Sequence, residues 1–218
     1  SKGLDPKEHP SLAMYLKAAG YRTACYGKWN VGGEEEIAPD AHGFDRWVGF
    51  HHNINYFTHR RFDHKANDFC GEIGLFEDGK PLDKVQYLDD LLTDYAVREI
   101  EQADPARPFF IYLPYQAPHA PMQPPDDDPH RKNVPKGTSP EDRPAYIKIV
   151  EQLDRCVGRV MEALEAKGID DRTLVIFTSD NGGHKASRNL PLKGGKQELD
   201  EGGIRVPAIV RWPGVVPA

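Results

Sequence analysis

Side chains that can meet a hard cation, an anion or a proton recur just past short apolar runs. Asp180-Asn181 follows Leu174-Val175-Ile176-Phe177 and Thr178-Ser179, and leads into Gly182-Gly183-His184. Asp180 offers an anionic oxygen and Asn181 a neutral one, a pairing suited to calcium or magnesium. The two glycines let the backbone turn sharply beside a ligand. An isolated Asp-Asn-Gly is also a common strand-end turn, so this pair gains meaning only from its neighbours. Lys28 stands between the run Tyr21 to Tyr26 and the glycines Gly32-Gly33, a place where an ammonium can meet an anion or simply face solvent. His119 lies among Pro114, Pro118 and Pro121, just past Phe109-Phe110-Ile111-Tyr112-Leu113. Prolines restrict the backbone around it, which favours an acid/base role over that of a solvated histidine. Lys193 and Lys196, flanking Gly194-Gly195, precede Glu201-Gly202-Gly203 and bring a further cation. His51, His52, Asn53, Asn55 and Tyr56 mix hydrogen-bonding groups with an aromatic ring, which suits a polar ring such as a sugar and equally an ordinary exposed loop.

Positioning these residues requires strands and helices in alternation. Leu12, Tyr15, Leu16 and Ala19 mark a helix from Pro10 to Ala19, capped by Ser11 or Asp5 and stopped by Gly20. Tyr21 to Tyr26 reads as a strand, and 38–50 as a loop packed by its aromatics. Phe76 to Pro81 is a hairpin-like turn around Asp78-Gly79. Leu88, Leu91, Leu92, Tyr95, Ala96 and Ile100 set a second helix. Phe109 to Leu113 and Leu174 to Phe177 are unbroken apolar runs, expected as strands buried on both faces. Between them, 123–143 reads as a surface excursion. Its Asp126-Asp127-Asp128 lacks the glycine and glutamate spacing of an EF-hand. The longest helix spans Pro144 to Lys167, with Ile147, Val150, Leu153, Val157, Val160, Met161 and Leu164 on one stripe and Gly168 as its stop. Glu201-Gly202-Gly203 turns the chain into another strand. This order predicts an α/β layered domain with a largely parallel sheet.

The 218 residues, 39% hydrophobic and 28% charged, suit one domain with a sizeable core. A net charge of −6 with scattered basic residues argues against a nucleic-acid partner. No apolar run reaches bilayer length and Ser1 opens no leader-like stretch, so no membrane partner is expected, although export stays open. Cys25, Cys70 and Cys156 lack zinc-type spacing and cannot all pair with one another.

Taken together, Gly20-Tyr21-Arg22-Thr23 with Gly27-Lys28-Trp29, His42-Gly43-Phe44-Asp45, Leu153-Asp154 with Val157-Gly158, Phe177 to Gly182 and Lys193 to Gly214 resemble the sulfatase family of the alkaline phosphatase superfamily, in order and over nearly the whole chain. The resemblance implies an alkaline-phosphatase-like α/β fold, a largely parallel mixed sheet sandwiched between helices, with residues 1–218 as part of the catalytic domain. It implies one calcium ion, with Asp180 and Asn181 among its ligands. Lys28 matches the lysine that holds the sulfate and the hydrated aldehyde. Lys196, chosen over Lys193 by its spacing to Glu201-Gly202-Gly203, matches the second sulfate-binding lysine, and His119 the histidine that helps protonate the leaving oxygen. His52 belongs with Lys28, Lys196 and His119 in the expected substrate-binding set. The implied partner is a small-molecule or glycan sulfate ester, and the implied location periplasmic or secreted.

Two departures stand out. Asn30 occupies a place where many sulfatases have histidine, and an amide hydrogen-bonds without acting as a base. Sulfatases also resemble one another in a Cys or Ser followed by x-Pro-x-Arg, which yields formylglycine, and in an aspartate pair on the first strand. No cysteine or serine in this sequence heads such a motif. The expectation is a sulfuric ester hydrolase whose nucleophile lies outside this chain, leaving the chain alone inactive. A phosphate or phosphonate ester hydrolase of the same superfamily and a catalytically inactive sulfate-binding homologue are the alternatives.

Overall fold

The computed structural model describes residues 3–31, 38–63, 68–131, 134–135 and 139–217. Gly32 and Gly33, expected to close the loop after Lys28, lie outside these residues. A five-stranded sheet runs in the order β6-β5-β2-β1-β7. Its strands are β1 (Arg22–Lys28), β2 (Arg46–Phe50), β5 (Phe76–Glu77), β6 (Lys80–Pro81) and β7 (Phe109–Tyr112). β1 lies parallel to both β2 and β7, whereas β5 and β6 add antiparallel pairs at one edge. β3 (Arg60–Asp63) and β4 (Asp68–Ile73) form a separate ribbon, as do β8 (Val175–Thr178) and β9 (Ala208–Arg211).

Alternation along β1 decides the layering. Ala24 and Tyr26 point to one face, against α2 (Leu88–Glu101) and α3 (Arg143–Lys167). Cys25 points to the other face and packs with Trp29, Phe44, Trp47 and Ala13 of α1 (Leu12–Ala18). The mixed sheet is therefore covered by helices on both faces, as expected. The Ser11 hydroxyl caps α1 by accepting the Met14 amide at 3.2 Å. Ser139 and Asp142 form a capping box at the short helical turn before α3, and Gly168 ends α3 in the left-handed region at φ 69°. Leu91 and Leu92 of α2 are wholly buried, each contributing about 2 kcal/mol of apolar transfer. α2 and α3 are also tied by polar side chains: Gln152 donates to Asp90 at 2.7 Å, and Arg159 pairs with both Asp90 and Asp94.

Several elements depart from the sequence reading. Arg46–Phe50 is a strand rather than the end of a loop, because Gly49 faces Gly27 across the pair and lets β2 approach β1 closely. The run after Leu174 is not buried on both faces: Ile176 is 62% exposed, and β8 has β9 as its antiparallel partner. β7 likewise carries an exposed Tyr112. The apolar stripe of α3 explains both, since Val150, Leu153, Val157, Val160 and Met161 line an open trough between β7 and β8. Burial against α2 falls instead to Ile149, Gln152 and Cys156, a third of a turn round the helix. Gln123, expected on a surface excursion, is buried, where its side-chain oxygen accepts the Tyr56 amide at 3.1 Å.

Candidate active site

The upper end of that trough, where β1, β7 and β8 finish, is lined by Lys28, Asn30, Asn53, His119, Asp180, Asn181 and Lys196. Lys28 is the last residue of β1. Gly27 before it has φ 142°, and a Cβ there would lie 2.0 Å from the Pro114 carbonyl oxygen. Only glycine allows that approach, which lets the Lys28 amide donate to Pro114 at 2.9 Å and brings the loop after β7 against the end of β1. The Lys28 ammonium donates to the Asn53 side chain at 3.4 Å. Its pKa is lowered by burial first and by Lys196 second, with Asp180 opposing.

His119 sits on the loop after β7. Its Nδ1 lies 2.8 Å from the carbonyl oxygen of Ala120. A carbonyl only accepts, so Nδ1 carries the hydrogen and Nε2 is left for other partners. Burial lowers its pKa; the Ala120 carbonyl opposes this, Lys28 and Lys196 add to it, and Asp180 offsets part of it. Lys28 and His119 thus both feel Lys196 and Asp180, although the residues come from three distant parts of the sequence.

Lys196 reaches the cleft through a layer of close backbone contacts. At Gly182 a Cβ would lie 1.8 Å from the Gly202 carbonyl oxygen, and the Gly182 amide donates to Gly203 at 2.9 Å. The Lys196 amide donates to the Gly183 carbonyl at 3.0 Å. Asn189 clamps the same layer, its Nδ2 donating to Gly183 at 2.9 Å and to Gly194 at 3.0 Å while its Oδ1 accepts the Gly183 amide at 3.0 Å. Nothing in the sequence singles Asn189 out, since its partners are backbone atoms of two loops. Lys193 turns elsewhere, to Asp200 at 3.2 Å.

Asn30 is exposed and borders the cleft, while His52 is exposed and does not line it. Asp180 and Asn181 give a carboxylate and an amide oxygen at the end of β8, donors of the kind calcium takes. Among the described residues, no group of three His, Cys, Asp or Glu side chains could hold a metal. The pair therefore fits calcium in kind and falls short in number, so further ligands must come from elsewhere. The whole cleft and trough enclose about 2800 Å³, well beyond a typical small-molecule pocket of roughly 300–1,000 Å³.

The chain is similar to known sulfatases in both sequence and fold. N-acetylgalactosamine-6-sulfatase of Canis lupus familiaris is 32% identical over 99% of this chain, which covers 42% of that protein. A protein of Formosa agariphila described as a sulfatase is 32% identical over 94% of the chain, covering 45% of its own length. The crystal structure of Ps i-CgsB in complex with k-i-k-neocarrahexaose superposes with a TM-score of 0.83 at 34% identity, over 100% of this chain and 51% of that one. The PsFucS1 sulfatase from Pseudoalteromonas sp. follows with a TM-score of 0.71 at 28% identity, over 97% and 46%. The chain spans about half the length of these relatives or less. The family model described as Sulfatase matches residues 2–218, and the chain belongs to the sulfatase family.

Proposed function

We propose that the protein containing these residues is a sulfuric ester hydrolase acting on a sulfated glycan. The observation that carries this is the meeting of Lys28, Lys196, His119 and Asp180 in one cleft. Lys28 and Lys196 are fixed cations facing an opening, and they match the anionic oxygens of a sulfate monoester. Neither has to move during reaction, so both stabilise charge without reorganisation. Asp180 and Asn181 would hold the calcium ion, which supplies further positive charge to the sulfate oxygens when bound.

His119 presents Nε2 to the leaving oxygen. With Nδ1–H committed to Ala120, a proton on Nε2 is the one that can be delivered. Burial and, in smaller part, the neighbouring lysines disfavour that proton, and an arriving sulfate anion favours it by offsetting the lysines' field. Proton transfer from Nε2 to the departing alkoxide then leaves a neutral imidazole and a free alcohol. Asn30, bordering the same cleft, orients the sulfate or the attacking group without exchanging protons. The formylglycine that the family implies would supply the attacking oxygen, and no described residue stands in for it. The neocarrahexaose held by one relative favours a saccharide over a simple aryl ester.

The test is product analysis with full-length protein on matched sulfate and phosphate esters of one sugar and one phenol. Sulfate release from the sugar, abolished by Lys28→Ala, is expected. Faster phosphate release would favour the phosphohydrolase reading, and binding without turnover the inactive homologue.

A further inference from the structure

The loop that carries His119 is held from beneath by a carboxylate with no part in the chemistry described so far. Asp89, in the first turn of α2, is completely buried. One of its oxygens accepts the backbone amide of Gln116 at 3.3 Å, the amide of Ala117 also faces the carboxylate, and Oδ2 has no hydrogen-bond partner. Gln116 passes this anchorage onward. Its carbonyl accepts the His119 amide at 2.8 Å, and its side chain donates to the Ile54 carbonyl at 2.8 Å. Charge for the helix N-terminus is already available from Asp90, which is partly exposed and paired with Arg159. Burying a second carboxylate is costly, and its amide contacts with the histidine loop are what it gains in return.

We propose that Asp89 is a positioning residue for His119: its buried carboxylate anchors the amides of Gln116 and Ala117, and through them sets how the imidazole enters the cleft. The inference rests on the reading of His119 as proton donor. Groups facing Asp89 are Asp90 and Tyr87 from its own helix and its cap, Tyr56 from the segment before β3, Tyr115 from the loop after β7, and Cys156 from α3. Burial raises the pKa of all three tyrosines and pushes the thiol up to about 12, so these stay neutral near pH 7. The Asp89 carboxyl is itself pushed up to about 7, by burial first and in smaller part by Asp90, against the pull of the two amides. Ionised, it accepts from both amides. Protonated on the unpartnered Oδ2, it loses the charge that strengthens both amide contacts and holds the loop more weakly.

The experiment uses full-length protein and the variants Asp89→Asn, His119→Ala and their combination, assayed on a sulfated sugar. Asp89→Asn is expected to lower kcat about tenfold with KM changed less than about threefold, and the double variant to be no slower than His119→Ala. If His119→Ala is slow and the two effects multiply, Asp89 acts independently of His119 and the proposal is overturned. Unchanged sugar turnover in His119→Ala would instead remove the proton-donor reading, and this inference with it. Should Asp89→Asn not fold, hydrogen exchange in the wild-type protein decides. After correction for intrinsic rates, protection at Gln116 and Ala117 should fall as pH is lowered from about 8 to about 6. Constant protection across that range overturns the proposal.

Discussion

The hydroxyl of Tyr56 donates to the carbonyl oxygen of His119 across 2.8 Å, joining a ring with no exposed surface to the residue read as proton donor. Tyr56 also stacks on Tyr87 at the start of α2, with ring centroids 5.1 Å apart. The histidine is thereby tied to the core from a second side. Tyr56→Phe keeps the stacked ring and strips the His119 carbonyl of a donor. Losing a donor to this half-buried carbonyl should cost about 1 kcal/mol, so the midpoint of denaturant unfolding should drop by that equivalent without a change in slope. Turnover of sulfated sugar should fall more than that of an activated aryl sulfate, which needs less help from the acid. Equal losses on both substrates would count against a role through His119.

Stability against pH should reflect two buried groups of opposite sign. His59 is fully buried and its pKa is lowered to about 4, chiefly by burial, with the Gln86 carbonyl opposing. The unfolded chain binds this proton more readily, so stability from His59 is present above about pH 6.5 and lost as pH falls towards 4. Asp89, raised to about 7, works the other way: its contribution is present below the ordinary carboxylate range and lost as pH rises through 7. Each effect is on the order of 3 kcal/mol, and between about pH 4 and 6.5 they largely cancel. Asp89→Asn should uncover the histidine slope, giving a protein that weakens steeply in acid and whose stability no longer declines as pH rises through 7. His59→Gln should uncover the opposite slope. Parallel pH curves for the two variants and the wild type would show that neither group titrates as argued.

Much of this was legible in the sequence, for reasons that differ by element. α2 and α3 are long enough for the 3.6-residue period to fix them, and they begin and end within a residue or so of expectation. Lys28, His119 and Asp180 stand at strand ends or tight turns marked by glycine and proline, which made them candidates, whereas their roles and the choice of Lys196 over Lys193 came from the resemblance to sulfatases. What the sequence withheld depends on partners remote along the chain. β2 contains Gly49 and only five residues, too little alternation to betray a strand until β1 lies beside it. β8 reads as a buried strand from its composition alone, yet the trough beside it leaves Ile176 exposed. Asp89 looks like an ordinary acidic first-turn residue, and its burial depends on the loop folded over it.

Calcium binding to full-length protein should depend on Asp180. Two oxygen donors at the end of β8 are its basis, and Asp180 is the one carrying charge. Asp180→Ala should weaken calcium binding by at least about tenfold, read by titration calorimetry on metal-stripped protein. Removing a nearby anion should also lower the pKa of Lys28 and of His119 further, since Asp180 raises both. Stoichiometric zinc held equally well by the variant would sink the assignment.

Asn30 offers a separate handle on the same cleft. An amide cannot titrate between pH 5 and 9, so Asn30→His should yield an active enzyme with one additional ionisation in its pH–rate profile. Asn30→Ala should slow turnover by roughly tenfold, the size of a lost hydrogen bond to a charged group. An unchanged rate and profile in Asn30→Ala would place the residue outside the reaction.

Residues 1–218 on their own should neither turn over an aryl sulfate nor hold calcium firmly. No cysteine or serine among them heads the x-Pro-x-Arg motif, so the covalent route is absent rather than merely slowed. Asp180 is the carboxylate matched to the metal, and one carboxylate with one amide falls well short of the six to eight oxygens calcium prefers. The trough adds a physical handicap. Among the described residues β7 pairs with β1 alone and β8 with β9 alone, so each presents an unpaired edge, and Ile176 and Ile209 are exposed to 62% and 60%. Such edges promote association between copies, so the isolated piece should elute as aggregates on size exclusion while full-length protein does not. Both should be assayed with an activated aryl sulfate at saturating calcium. Turnover by the isolated piece that disappears on Lys28→Ala would mean that a nucleophile resides within these residues after all.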